Sequence, residues 1–188
     1  MIKVFHAGYE VIKEPDIFRG RKNADLGQGF YTTDNREFAY RWAREKSGSD
    51  TVINTYELEL EGLKVKHFER NEEWFKYVFS NRRSLPDELA DTDVVIGPIA
   101  NDTIYNTLGI MTSGYLTDDE AMKLLCIGPC FEQITLKTGK AAEQLKFISY
   151  EILGRTDLER NKKIFKAEEA AYLTEFAKVM EELSQDTL

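Results

Sequence analysis

Short segments in which apolar and polar residues alternate recur along the first 150 residues, and segments with helical spacing separate them. Alternation places every second side chain on one face of a β-strand, whereas apolar residues three or four apart mark one face of a helix. The strand patterns are IKVFHAG, TVINTYELEL, CFEQITLKT and KFISYEIL, and DVVIGPIAND adds a short apolar run closed by Gly-Pro that is consistent with a buried strand. Because helices and strands are interleaved without a regular strand-helix-strand repeat, the sequence predicts an α+β fold.

Helix signals lie between these strands. Asp34 is a good N-cap, and Glu37 three residues later would complete a capping box, so a helix is predicted through NREFAYRWAREK. The segment NEEWFKYVFSNRR has an acidic first turn and a basic last turn, which both favour the helix macrodipole. Further helices are predicted over TIYNTLGIM, DDEAMKLL and GKAAEQL.

From Asp157 onward the pattern becomes that of one long helix rich in Lys and Glu. Its apolar stripe consists of Phe165, Tyr172, Phe176, Val179 and Leu183. We therefore expect a domain over residues 1–153 and a helical extension over residues 154–188. The stripe either packs on its own domain or binds a partner, which includes a second copy of the chain, and packing on its own domain is favoured.

Composition and charge narrow the function classes. No window approaches the roughly 18 consecutive apolar residues that a membrane span needs. The first ten residues alternate like a strand and carry no secretory signal, so a cytoplasmic protein with no membrane partner is expected. A formal net charge of −8 opposes nonspecific binding to a phosphate backbone, although RGRK and NRR are local positive spots.

The sequence contains only two cysteines, Cys126 and Cys130, and two histidines, His6 and His67. The histidines lie far from the cysteines in sequence, and the set lacks the paired spacing of a structural zinc site. We expect two reduced cysteines beside a Gly-Pro turn and no bound metal.

The candidate functional residues lie in three separate segments. FHAG ends the first strand, ADLGQGFYTT (residues 24–33) leads into the next strand, and a late strand carries FEQITL. Taken singly, each segment has an ordinary structural interpretation: a buried histidine, a tight turn and a strand with polar neighbours. Their order along the chain is more informative than any of them alone.

That order, His-x-Gly, then Gly-x-Gly-aromatic-Tyr, then a strand bearing Glu-Gln, resembles the ADP-ribosyltransferases of the diphtheria-toxin and PARP type. FHAG, DLGQGFYTT, AYRWA, DVVIGPIANDT and FEQITLKTGKAAEQLKF more closely resemble the bacterial DUF3990 family, over about residues 2 to 150. The resemblance implies split antiparallel β-sheets with flanking helices, and NAD as substrate. It also implies a mono-ADP-ribosyltransferase acting on a protein or nucleic acid, as a toxin with an antitoxin partner or as a phage-defence effector.

The same resemblance implies roles for the first two segments. His6 would hydrogen-bond a ribose hydroxyl of NAD, and the backbone around Ala7 would bind the nicotinamide amide, with Gly8 leaving room for the ligand. Tyr31 would stack on the nicotinamide ring.

Three further residues belong to the same predicted cofactor site. Gly29 and Phe30 lead into Tyr31, and Gly27 and Gly29 would allow the chain to turn tightly below the ligand. Trp42, eleven residues beyond Tyr31, would be the second aromatic side of the nicotinamide site, or else a plain core residue.

The third segment leaves two candidates open, because Glu132 and Gln133 point to opposite faces of their strand. The resemblance to DUF3990 favours Gln133 as the residue that faces the cleft, and alternation agrees if Ile134 and Leu136 face the core. A glutamine can hydrogen-bond the ribose 2′-OH but cannot accept a proton, so single ADP-ribose transfer is expected rather than polymer growth.

Two residues and two other functions remain to be considered. Asn101 and Asp102 either shape the acceptor site or cap the helix that follows them, and capping is favoured for Asp102. The absence of a catalytic Glu would suit an inactive module that binds NAD or ADP-ribose. An NAD glycohydrolase, with water as the acceptor, is the other alternative.

Overall fold

The computed structural model describes residues 1–99, 117–128 and 130–185. The strands in these ranges are β1 (Ile2–Gly8), β2 (Phe30–Thr32), β3 (Val52–Leu58), β4 (Val65–His67), β5 (Val94–Pro98), β6 (Glu132–Leu136) and β7 (Leu145–Ile152). The helices are α1 (Arg36–Trp42), α2 (Glu72–Arg82), α3 (Asp118–Leu125), α4 (Gly139–Glu143) and α5 (Arg155–Gln185), and a 3-10 turn covers Ile17–Arg19. The predicted α+β class is confirmed.

The strands form two sheets. A three-stranded sheet has the order β1-β3-β7, and a four-stranded sheet has the order β2-β6-β5-β4. Every pair is antiparallel except β4 with β5, which run parallel. The expectation of split antiparallel sheets therefore holds apart from the short strand β4.

The two sheets meet where β1 touches the end of β2. Phe5 and Thr33 exchange two backbone hydrogen bonds, of 2.8 and 3.0 Å, in an isolated bridge. Backbone groups on one strand point alternately to its two sides, so this bridge uses the side of β1 that faces away from β3. His6, Ala7 and Gly8, which follow Phe5 on β1, therefore lie next to the junction of the two sheets.

A hydrophobic core fills the space between the sheets, and its members lie at alternating strand positions. The three-stranded sheet contributes Val4, Tyr56, Leu58 and Leu145, and the four-stranded sheet contributes Phe30, Val94, Ile134 and Leu136. Burying each large apolar side chain contributes roughly 1.5–3 kcal/mol, so this layer is a main source of the domain's stability. The prediction that Ile134 and Leu136 face the core is confirmed.

Helix α1 begins one residue later than predicted and ends earlier. Its N-cap is Asn35, whose side chain accepts a hydrogen bond of 2.9 Å from the Phe38 backbone N–H, so the predicted cap at Asp34 is wrong. The Asn35 N–H is itself bonded to Thr33 Oγ1 at 3.2 Å, which holds this residue in place as the cap. The helix stops at Trp42 because Ala43 is extended, with φ −63° and ψ 124°.

The chain divides into two compact units, residues 1–99 with 131–162, and residues 100–130 with 163–188. The first unit contains both sheets, and α5 runs from the first unit into the second. The expected boundary between residues 153 and 154 stays a prediction. The helix predicted over TIYNTLGIM lies outside the described residues, as do Asn101 and Asp102.

Helix α5 confirms the predicted long C-terminal helix but changes one member of its stripe. Phe165 is 44% exposed, whereas its neighbour Ile164 is half-buried. Successive residues are about 100° apart around a helix, so the row at three- and four-residue spacing that includes Tyr172 runs through Ile164. None of the helices in the described part of the chain is both long and apolar enough to cross a membrane.

Candidate functional site

His6 lies on β1 at the junction of the two sheets and bonds to β2. Its Nδ1 is 2.7 Å from the Tyr31 carbonyl oxygen, and its ring stacks on Phe30 with 4.4 Å between ring centroids. A carbonyl oxygen only accepts, so we assign the imidazole proton to Nδ1, which leaves Nε2 as an acceptor in the neutral ring. Burial lowers the pKa of His6 below its ordinary value of 6.5, and the bond to the Tyr31 carbonyl opposes that shift. His6 therefore presents a neutral Nε2 acceptor at pH 7.

The two residues after His6 leave space and backbone groups beside this acceptor. A Cβ atom at Gly8 would lie 3.2 Å from His6 Nε2, so a side chain there would crowd the nitrogen. Ala7 has the same backbone direction as Phe5, two residues earlier, because these directions alternate along a strand. The N–H and C=O of Ala7 therefore point away from β3, toward the side on which β1 passes β2.

Tyr31 is half-buried, and the loop before β2 holds its hydroxyl group. That hydroxyl donates to the Gly27 carbonyl at 2.6 Å and accepts from the Leu26 N–H at 2.9 Å. Burial raises the pKa of Tyr31, and the nearby Asp25 raises it further, so the phenol stays neutral. With the hydroxyl occupied, the aromatic ring is the part of Tyr31 that can contact a ligand.

A largely buried ion pair, with Lys137 buried and Asp87 partly exposed, lies under the loop that holds Tyr31. Lys137 Nζ is 2.5 Å from Asp87 Oδ2 and 2.8 Å from the Tyr77 hydroxyl oxygen. The Tyr77 hydroxyl is in turn 3.2 Å from the Leu26 carbonyl oxygen. Gly27 has φ +83°, and a Cβ there would collide with the Asp87 carboxylate. The loop thus needs a glycine for its backbone conformation and for its close approach to this pair.

The structure gives the predicted residues Gly29 and Phe30 packing roles. A Cβ at Gly29 would lie 2.5 Å from the Leu136 carbonyl oxygen, so this glycine lets the loop lie against β6. Phe30 is 6% exposed and sits in the core between the sheets, where it supports His6 and meets Tyr56 edge-on. Both residues therefore act on the site through their neighbours.

Strand β6 carries the two candidates for the third position, and the pairing register separates them. Tyr31 is opposite Thr135, so Gln133, two residues along β6, lies on the same face of the sheet as Tyr31. Gln133 is buried, and its Nε2 donates to Asp25 Oδ2 at 3.3 Å. Glu132 lies on the other face, half-exposed, with its Oε1 2.6 Å from His67 Nε2.

Trp42 belongs to an aromatic cluster formed by the end of α1 and the residue before β6. Its ring centroid is 5.1 Å from that of Phe38, which stacks on Phe131 at 4.8 Å. Arg41 lies over the ring of Phe131, with its guanidinium carbon 5.2 Å from the ring centroid. The cluster lies one residue before Glu132, beside the strand that carries Gln133.

Sequence reasoning did not single out Asp25, Asp87 or Lys137. The available signal was Lys137 itself, a lysine that follows Gln133 and Thr135 at positions that alternate with the apolar residues Ile134 and Leu136. Its partners could not be read from the sequence, since Asp87 is 50 residues away.

The described residues include both cysteines. Cys126 and Cys130 are both exposed and form no disulfide with each other. Across residues 1–99, 117–128 and 130–185, no three or more His, Cys, Asp or Glu side chains are grouped to hold a metal ion.

The fold and the site define a class of α+β protein in which two sheets meet at a histidine bonded to the backbone of a tyrosine. The sequence profile of DUF3990, described as a protein of unknown function, matches residues 2–147. The chain therefore belongs to the DUF3990 family, as its motifs indicated, and the whole of α5 lies beyond the matched segment. No curated protein shows significant sequence similarity to the chain.

Proposed function

We propose that this protein is an NAD-dependent mono-ADP-ribosyltransferase. The observation that carries the proposal is the hydrogen bond between His6 Nδ1 and the Tyr31 carbonyl, which joins the first two predicted motif positions at the sheet junction. Gln133, at the third position, shares the face of Tyr31 on the adjacent strand β6. His6 and Gln133 lie 25 and 102 positions from Tyr31 in the sequence, and each is a neighbour of Tyr31, His6 through the Tyr31 carbonyl and Gln133 on the adjacent strand.

The chemistry of nicotinamide matches these groups. Its carboxamide has an N–H donor and a carbonyl acceptor, which suit the C=O and N–H of Ala7. Its ring would stack on Tyr31, whose hydroxyl is already engaged. The Nε2 of His6 would accept a hydrogen bond from a hydroxyl of the attached ribose, and Gly8 leaves space for that hydroxyl.

In the proposed reaction, the bond between the nicotinamide nitrogen and ribose C1′ breaks, and its electron pair goes to the nitrogen. That electron pair neutralises the pyridinium charge, so nicotinamide leaves as a neutral molecule. An acceptor nucleophile forms the new bond to C1′ and releases its proton to solvent. The passage through an oxocarbenium-like state requires the ribose to be held firmly, and Gln133 would do so by hydrogen-bonding the 2′-OH. Gln133 cannot accept a proton, so we propose that a single ADP-ribose is transferred.

The acceptor is a protein or a nucleic acid, and we propose a toxin or phage-defence role for the transfer. Expression of the wild-type chain should then arrest bacterial growth, and an antitoxin partner should relieve the arrest. The Tyr31→Ala variant should not arrest growth, because it lacks the ring proposed to hold nicotinamide. Normal growth of cells that contain active wild-type enzyme would contradict the toxin role but not the transferase activity.

The test of the activity uses NAD labelled in its adenine part, incubated with the protein and a whole lysate. We expect nicotinamide release with label on protein, DNA or RNA. Tyr31→Ala should lose this activity, whereas the matched control Tyr150→Ala removes a tyrosine that is 51% exposed and should retain it. Circular dichroism of each variant separates loss of the site from loss of the fold.

One observation favours an inactive binding module: the third position carries the amide of Gln133, whereas a carboxylate there would activate an acceptor. An inactive module would bind NAD or ADP-ribose and release no nicotinamide. A glycohydrolase would instead convert the labelled NAD entirely to free ADP-ribose, with no label on macromolecules. Either result would replace the transferase assignment.

A further inference from the structure

Gln133 has a carboxylate as its neighbour, and that carboxylate comes from the loop before β2. The Gln133 Nε2 lies 3.3 Å from Asp25 Oδ2, across 108 residues of sequence. Asp25 also contributes to raising the pKa of Tyr31 through its charge. One carboxylate is therefore close to both Gln133 and Tyr31.

Helix α2 holds Asp25 in this place. Arg82 Nε donates to the other carboxylate oxygen, Oδ1, at 2.7 Å, and both side chains are largely buried, at 9% and 15% exposure. The Asn81 side-chain amide donates to the Asp25 carbonyl oxygen at 3.1 Å. Two consecutive residues at the end of α2 thus fix the backbone and the side chain of Asp25.

An unconstrained glutamine amide can turn either its nitrogen or its oxygen toward a ligand, because the two ends are nearly the same shape. A carboxylate accepts hydrogen bonds only, so the end of Gln133 that faces Asp25 must be the nitrogen. We propose that Asp25 is a positioning residue, which turns Gln133 so that its Oε1 is the acceptor offered to a ligand hydroxyl. This inference rests on the proposed function, in which that hydroxyl is the ribose 2′-OH.

The pair also explains why a glutamine suits this position better than a glutamate. The substitution Gln133→Glu would bring two carboxylates to about 3 Å from each other, where like charges strongly disfavour joint ionisation. The introduced carboxylate becomes compatible with the site only if Asp25 is replaced by an amide that can donate to it. Asp25→Asn and Gln133→Glu should therefore each disturb the site singly and compensate when combined.

The experiment compares wild type, Asp25→Asn, Gln133→Glu and the double variant, with Asp91→Asn at an exposed position as the control. In the Asp25→Asn protein, the side-chain oxygen of the introduced asparagine still accepts from Arg82, while its amide nitrogen faces Gln133. That arrangement turns Gln133 Oε1 away from the ligand. We expect the kcat for nicotinamide release to fall about 10-fold or more, as for loss of one hydrogen bond, with a smaller change in KM.

The thermal stability of the same proteins tests the contact without any ligand. In Gln133→Glu the two like charges raise one pKa of the carboxyl pair above its unfolded value, so stability is lost as pH rises through that range. We expect the Tm of this variant to be lower at pH 7 than at pH 4.5 relative to wild type. The double variant should recover the wild-type profile.

Different failures have different meanings. An unchanged kcat in Asp25→Asn, with an active wild type, would overturn the positioning role and leave the proposed function standing. Equal pH profiles for Gln133→Glu and the double variant would overturn the contact itself. A wild type that neither binds NAD nor releases nicotinamide would overturn the proposed function and the ligand role of Oε1, while the Tm profiles would still decide the orientation of the amide.

Discussion

Replacing Gly27 with alanine should destabilise the protein far more than the same change at another glycine of similar conformation. Gly27 has φ +83°, and a Cβ there would overlap the Asp87 carboxylate and lie 2.9 Å from Lys137 Nζ. Gly48 has φ +77° with nothing within 4 Å of the added Cβ. The two substitutions therefore share the backbone strain and differ in the collision.

The magnitudes follow from these two contributions. Left-handed backbone at a residue with a side chain costs about 1–2 kcal/mol, which applies to both variants. Separating a buried ion pair costs up to about 3–5 kcal/mol, and Asp87 is partly exposed, so we assign about 2–3 kcal/mol to this contribution. The free energy of unfolding should fall by about 3–5 kcal/mol for Gly27→Ala and by about 1–2 kcal/mol for Gly48→Ala.

Urea denaturation followed by tryptophan fluorescence measures both values, since Trp74 is 1% exposed and reports on the core. Combining Gly27→Ala with Lys137→Met adds a second check, because the collision contribution should shrink once the ion pair is gone. Equal losses for the Gly27 and Gly48 variants would refute the argument that the loop rests on the ion pair.

Three other predictions address the site. Tyr31→Phe should lower the free energy of unfolding by about 1–3 kcal/mol, because two backbone groups lose their hydrogen bonds to the hydroxyl. The variant keeps the aromatic ring and should therefore keep most of its NAD-dependent activity. If its activity falls as far as that of Tyr31→Ala, the ring is not the part of Tyr31 that matters. Gly8→Ala should raise the KM for NAD, because the new Cβ crowds Nε2 of His6, and its Tm should stay within a few degrees of wild type. An unchanged KM would exclude a ligand beside His6 Nε2. The lowered pKa of His6 means that the unfolded chain binds the proton more readily, so the stability that comes from the neutral His6 is present above pH 6.5 and is lost as pH falls below it. His6→Gln should therefore flatten the pH dependence of Tm in that range, and an unchanged pH dependence in this variant would contradict a buried neutral His6.

Most of the secondary structure could be predicted because its signals are local. The segments that alternate became strands, and both Asn71 and Asn35 cap helices through their own side chains. The error at α1 arose because Asp34 and Asn35 are adjacent and both are good caps. A hydrogen bond from the Asn35 backbone to Thr33 favours Asn35, and that bond cannot be seen in a list of propensities.

The motif positions were identified from their order, but their arrangement depended on pairing. The sequence left Glu132 and Gln133 open because a shift of one residue exchanges the two faces of a strand. The pairing of Tyr31 with Thr135 decides that Gln133 shares the face of Tyr31. Gln133, not Glu132, is thus the residue to test first.

The sequence by itself determined the α+β class, most of the strands and helices, the family, and His6, Tyr31 and the Glu132–Gln133 pair as residues to test. Only the tertiary structure decided that Tyr31 is held through its hydroxyl, that Lys137 and Asp87 support the loop, and that Asp25 faces Gln133. The physical reason is distance along the chain. Periodicity and capping act within a few residues, whereas a buried charge or amide takes its partner from whichever distant segment the fold brings to it.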